Sequence, residues 1–151
     1  MGGDNTLKLR AGTFDETVGI PTSMNSGSLY ISGGWSVFFV YQDDPSATVI
    51  NSSLNTPGSS QTVSIMNTGG SGTFDNLTIT GGNASGDGGG VYIGPDGTAQ
   101  VAFRHCIIRD NTTSGRGGGV FLSATDTVAV EFEDCSIRQN HVQGNLYDIL
   151  R

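Results

Sequence analysis

An all-β fold, a solenoid of parallel strands wound into about five stacked coils, is what this 151-residue sequence predicts. Three observations carry it. The C-terminal half repeats at a fixed interval without gaps, its apolar residues alternate with a period of two, and glycine or asparagine bounds each apolar run. Period two over runs this short means strands, and one repeat holds too few apolar side chains to offset the entropy of ordering it. Neighbouring repeats must therefore cover one another. Stacking pairs each strand with its equivalent in the next repeat, which makes a parallel β-helix.

In chain order, Leu7 and Leu9 in TLKLRAGTF begin the first coil, and Leu29 and Ile31 stand where a coil's apolar three-residue strand is expected. An insertion around 33–46, within GGWSVFFVYQDDPSATVI, enlarges the second coil and turns at Asp44-Pro45. Residues 1–62 are thus irregular coils of a single 1–151 domain. Val63 and Ile65 open the regular part, 63–140. There Phe74, Phe103 and Phe132 recur in phase, as do Leu77, Cys106 and Cys135, then Ile79, Ile108 and Ile137, then Gly82, Asn111 and Asn140. SGDGGG and SGRGGG lead into VYI and VFL at matching places. Residues 141–151, ending in LYDILR, form a tail too short to cap the stack persuasively.

Composition excludes several alternatives. Charged residues are 14% of the chain against 24 glycines, too little charge for a solvated long helix or coiled coil, and the glycines cluster where collagen would space them by three. No apolar run approaches the roughly 20 residues of a transmembrane helix. A net charge of −7, with one Lys and six Arg, argues against a nucleic-acid partner. Two cysteines cannot make a zinc cage, and no cofactor motif is present.

The GTF near the start, LTITGGNA, and a glycine run entering an apolar strand resemble the right-handed parallel β-helix repeats of bacterial secreted and surface proteins. GGGVYI and GGGVFL are also similar to the glycine-glycine-small-aliphatic motif of chlamydial polymorphic outer-membrane passenger domains. That family's Phe-x-x-Asn motif is not met, since Leu77, Cys106 and Cys135 hold the fourth place. The resemblance implies a right-handed, single-stranded coil and a secreted or cell-surface location.

Equivalent residues in adjacent coils lie about 4.8 Å apart, so each column is a ladder. The phenylalanines read as a core stack. Cys106 and Cys135 read as stacked buried thiols; in-register side chains keep their Cβ atoms near that same spacing, wider than a disulfide prefers, and a bridge is the second reading. Asn111 and Asn140 are expected to take left-handed dihedrals and to hydrogen-bond along the stack, with Gly82 serving the same place. The triple glycines make tight corners. A calcium roll is disfavoured because Arg116 replaces the acid that Asp87 supplies in the other copy.

Three charged columns are Asn76/His105/Asp134, Asp75/Arg104/Glu133 and Thr80/Arg109/Arg138. If the chain is an enzyme, His105, Arg109, Glu133, Asp134 and Arg138 make its surface cluster, serving acid–base chemistry on a polysaccharide. Cross-coil pairs such as Arg104 with Glu133 explain the same residues structurally. Tyr30, Tyr41 and Tyr92 are candidates to stack on sugars, though none is expected to form a column. The expected function is a non-catalytic extracellular structural or adhesive module whose partner is itself, through uncovered end coils, or the flanking coils of a longer chain. The alternative is a carbohydrate-binding or polysaccharide-degrading β-helix.

Overall fold

A computed structural model describes residues 3–24, 26–53, 61–66, 69–94, 97–123 and 127–143. The tail expected at 141–151 therefore lies outside the described residues from position 144 onward. The protein is all-β, and every pair of strands among the described residues is parallel. The first sheet runs in the order Asp4–Arg10, Ser28–Trp35, Ser71–Asp75, Gln100–Arg104, Ala129–Glu133. The second runs Gly12–Phe14, Thr48–Asn51, Thr78–Thr80, Ile107–Arg109, Ser136–Arg138, and the third Val18–Ile20, Val63–Ile65, Val91–Ile93, Val120–Leu122. A fourth, smaller sheet joins Asn83–Ala84, Thr112–Thr113 and His141–Val142. Along the chain the strands visit these sheets in a recurring order, a solenoid-like arrangement. No helix among the described residues is long and apolar enough to cross a membrane.

Register follows the sequence columns. Phe103 faces Phe74 on one side and Phe132 on the other, and Ile108 faces Ile79 and Ile137. The three rings stack face to face, with centroids 5.0 Å and 5.1 Å apart. Phe74, Phe103, Ile79 and Ile108 are fully buried together with Leu77, Val91 and Ile93. Phe132 and Ile137 depart from the expected core: they are 38% and 49% exposed, because no strand among the described residues lies beyond theirs.

Two placements correct the sequence reading. Leu29 and Ile31 belong to the first sheet, where Ile31 stands between Leu7 and Phe74. Val18 and Ile20 fill the place assigned to them, pairing with Val63 and Ile65. The first passage of the chain is abbreviated, so its strands arrive earlier than a constant repeat length would put them. The second passage carries the insertion, which leaves the first sheet after Trp35 and returns at Thr48 through a 3-10 turn, Pro45–Ala47, capped by Asp44. The other correction concerns the corner after the second sheet. Left-handed dihedrals fall on Gly81, Asp110 and Gln139, one residue before the Gly82, Asn111 and Asn140 column. Bending there turns the asparagine side chains inward.

The glycine corners behave as expected. Gly88 and Gly117 take φ of +74° and +68°, a region that costs glycine nothing. A Cβ on Gly89 would come within 2.4 Å of the Gly118 carbonyl oxygen and 2.6 Å of that of Thr112. Successive passages of the chain thus meet at this corner backbone to backbone.

Candidate functional site

The outer face of the first sheet, and the corner where it passes to the second, hold the densest group of chemistry-bearing side chains. Alternation creates the face: Val101 and Phe103 turn inward, leaving Gln100, Ala102 and Arg104 outside. With Ser71, Thr73 and Glu131 they line an open groove of about 720 Å³.

At the corner, Asn76, His105 and Asp134 each take left-handed dihedrals, with φ of 56°, 49° and 49°. That turn swings His105 back over Asp75. Its Nδ1 lies 2.9 Å from Asp75 Oδ1, and its Nε2 lies 3.8 Å from Asp134 Oδ2. On the other carboxylate oxygen, the Tyr30 hydroxyl donates a hydrogen bond of 2.5 Å to Asp75 Oδ2. Burial, with the Asp75 hydrogen bond and charge adding to it, pushes the Tyr30 hydroxyl up to about 12. Arg104 reaches Glu133 at 3.1 Å and Glu131 at 3.4 Å. The arrangement can hold a positioned imidazole against one carboxylate while presenting hydroxyl, amide and guanidinium groups along the groove.

Of the five residues expected in a surface cluster, the structure brings His105, Glu133 and Asp134 to this corner. Arg109 and Arg138 sit on the second sheet, and each pairs with its following residue, Asp110 and Gln139. Sequence reasoning missed the tie between Tyr30 and Asp75, because the partners share no repeat position. It also set Tyr92 apart from any column, which the structure corrects: Tyr92 stacks on Phe121 at 5.8 Å, and the Arg116 guanidinium lies 4.6 Å from the Phe121 ring centre. Phe121 occupies the outward slot of VFL that Tyr92 occupies in VYI, and this correspondence was the available signal.

Arg116, in the second copy of the glycine-rich motif, pairs with the acid of the first. It binds Asp87 through Nη2 at 2.8 Å, and its backbone N–H donates to Asp87 Oδ1 at 2.7 Å. The hydrogen bond to Arg116 holds the Asp87 carboxyl below the usual range. Cys106 and Cys135 are free thiols, the first buried and the second half-buried. The hydrogen bond shared with Cys135, together with burial, pushes the Cys106 thiol up, so the pair gives its first proton from Cys135.

The His105 contact makes a testable pH dependence. Its hydrogen bond to Asp75, aided by the charges of Asp75, Asp134 and Glu133, raises the imidazole above its ordinary 6.5. Folding then favours the protonated form. The added stability is complete below 6.5 and is lost as pH rises through the raised value. Melting temperature should fall shallowly as pH rises from 6.5 through the raised value, and His105→Gln should remove that slope. A slope unchanged in the variant would refute the assignment.

Comparison with known proteins finds no matching family model, no matching curated protein and no matching solved structure.

Proposed function

We propose that this protein is a structural or adhesive module: a right-handed, single-stranded parallel β-helix of about five coils, working at the cell surface or outside the cell without chemistry of its own. The observation that supports it is the change of exposure along the apolar columns. Phe74 and Phe103 are fully buried and Phe132 is 38% exposed; Ile79 and Ile108 are fully buried and Ile137 is 49% exposed. These columns end in apolar surface shaped like a place for one more coil. Beside it, the strands Ala129–Glu133 and Ser136–Arg138 have a partner on one side only among the described residues, and such edges readily accept another strand. A second copy docking head to tail, or a flanking coil of a longer chain, supplies both the strand and the apolar cover. The charged columns fit the same reading, since Arg104 with Glu133 and Arg116 with Asp87 link neighbouring coils.

Sedimentation tests it. The average mass of this chain should rise with concentration, and Ile137→Glu, which places a charge on the open column, should lower the association at least about tenfold. A well-behaved monomer at high concentration counts against self-assembly.

The groove of about 720 Å³ beside Tyr30, Asp75 and His105 favours a second reading, a site that binds or cleaves a polysaccharide. Incubation with a panel of acidic and plant-type polysaccharides, with and without calcium, separates the two. Binding or product release that His105→Gln abolishes would favour the carbohydrate reading.

A further inference from the structure

The insertion between the first and second sheets presents Val37, Phe38, Phe39, Val40 and Tyr41 at 65, 84, 42, 77 and 62% exposure. Five consecutive large apolar residues standing in water need an explanation, since single exposed apolar residues are ordinary and contiguous patches are not. From Ser36 to Gln42 there is no charged side chain.

The loop has a defined shape. Trp35 and Gln42 form an antiparallel bridge at its base. The Ser36 N–H donates to the Tyr41 carbonyl at 3.0 Å and the Phe39 N–H to the Ser36 carbonyl at 2.9 Å. The amides of Val40 and Tyr41 point at the Ser36 hydroxyl, at 3.2 and 3.4 Å. Below, the buried Asn76 side chain donates to the Asp43 carbonyl at 2.6 Å and joins the base to the solenoid.

We propose that this loop inserts into the interfacial region of a lipid bilayer and holds the solenoid against a membrane surface. Three features favour lipid over a protein partner. A tight turn points its side chains in several directions, so a rigid surface could cover one side of the tip, whereas a fluid phase covers all of it. The amides of Ser36, Phe39, Val40 and Tyr41 are bonded inside the loop, which lowers the cost of taking them out of water. Chemistry is also graded from tip to base: Val37–Val40 are apolar, and Tyr41 and Trp35 beneath them are the residue types that favour a membrane–water boundary. At the base stand cations suited to lipid phosphates. Lys8, the only lysine, lies 3.7 Å from the centre of the Trp35 ring, and Arg10 lines the same depression as Val37 and Tyr41, with Asp43 as the one carboxylate among its lining residues.

The test is flotation of the full chain with phosphatidylcholine vesicles, with brominated lipid as a quencher of Trp35, the only tryptophan. The chain should float with the vesicles, and lipid bromine should quench Trp35. The double variant Phe38→Asp, Val40→Asp should lower partitioning at least tenfold while its circular dichroism and melting temperature stay those of the parent, because both side chains are already in water. Failure of the parent to bind overturns the proposal, and so does equal binding by the variant. If the parent ignores vesicles but self-associates, and the double variant is monomeric, the loop docks on a second copy and the lipid assignment is wrong. Ile137→Glu, at the open column, should leave flotation unchanged, which keeps this result separate from end-to-end assembly.

Discussion

Phe103→Ala should lower the stability of the fold by about 3–5 kcal/mol, the range for removing a fully enclosed aromatic side chain. The ring is completely buried, with Phe74 and Phe132 stacked 5.0 and 5.1 Å away on its two faces. Those neighbours belong to adjacent strands whose separation is held by backbone hydrogen bonds, so the cavity left behind cannot close by sliding the rings together. Two aromatic contacts are lost as well, each worth about 0.5–1.5 kcal/mol beyond area. Phe132→Ala provides the comparison. It has one ring neighbour among the described residues and 38% of its surface in water, and should cost no more than about half as much. Urea unfolding of the two variants against the parent measures the difference. Equal losses would mean that the ladder does not carry the core.

Asn111→Ala should cost about 2–4 kcal/mol, for a different reason. This side chain is fully buried and satisfies groups on the passages of chain before and after its own. Its Oδ1 accepts from the Gly82 N–H at 2.9 Å, and its Nδ2 donates to the Ile79 carbonyl at 3.2 Å and to Asn140 Oδ1 at 3.0 Å. Alanine removes all three contacts and leaves the Gly82 amide without this acceptor, and an unmade buried hydrogen bond costs about 1–3 kcal/mol. Asn111→Asp separates hydrogen bonding from size. A carboxylate there keeps the acceptor but meets the Ile79 carbonyl and Asn140 Oδ1 without a proton to offer. Burial raises the folded-state value of such an acid above the unfolded one, so stability should be greatest at low pH and fall as pH rises from about 4. A flat profile would show that Asn111 acts by filling space.

Both predictions concern columns that could be read before any strand was placed. Phe74, Phe103 and Phe132, the cysteines, the isoleucines and the asparagines recur without gaps, and each column is realised as a set of register partners or stacked neighbours. The upstream half was less readable. Val18 and Ile20 do not stand out because the first passage is shortened, and Leu29 and Ile31 read as the missing strand because two apolar residues flanking one other residue fit more than one place in a repeat. The left-handed positions were missed by one residue for a local reason: asparagine favours such dihedrals, yet here its side chain is needed inside, so Gly81, Asp110 and Gln139 take the bend.

The corner site was readable in part. The sequence points to His105, Glu133 and Asp134 but does not join Tyr30 to Asp75, and it groups Arg109 and Arg138 with residues from which the structure separates them. The insertion around 33–46 is legible in the sequence, while the exposure of its tip is not, since an apolar run such as VFFV reads equally well as a buried strand.

Residue type and spacing are enough to decide that the chain is all-β, that its strands pair with equivalents one repeat away, and which side chains share a ladder, because periodicity is a local property written into every unit. Tertiary structure alone decides which columns end in solvent, which non-equivalent residues meet at a corner, and whether an apolar insertion folds in or stands out. Those outcomes depend on where unequal loops leave and rejoin the stack, and no residue type encodes that position by itself.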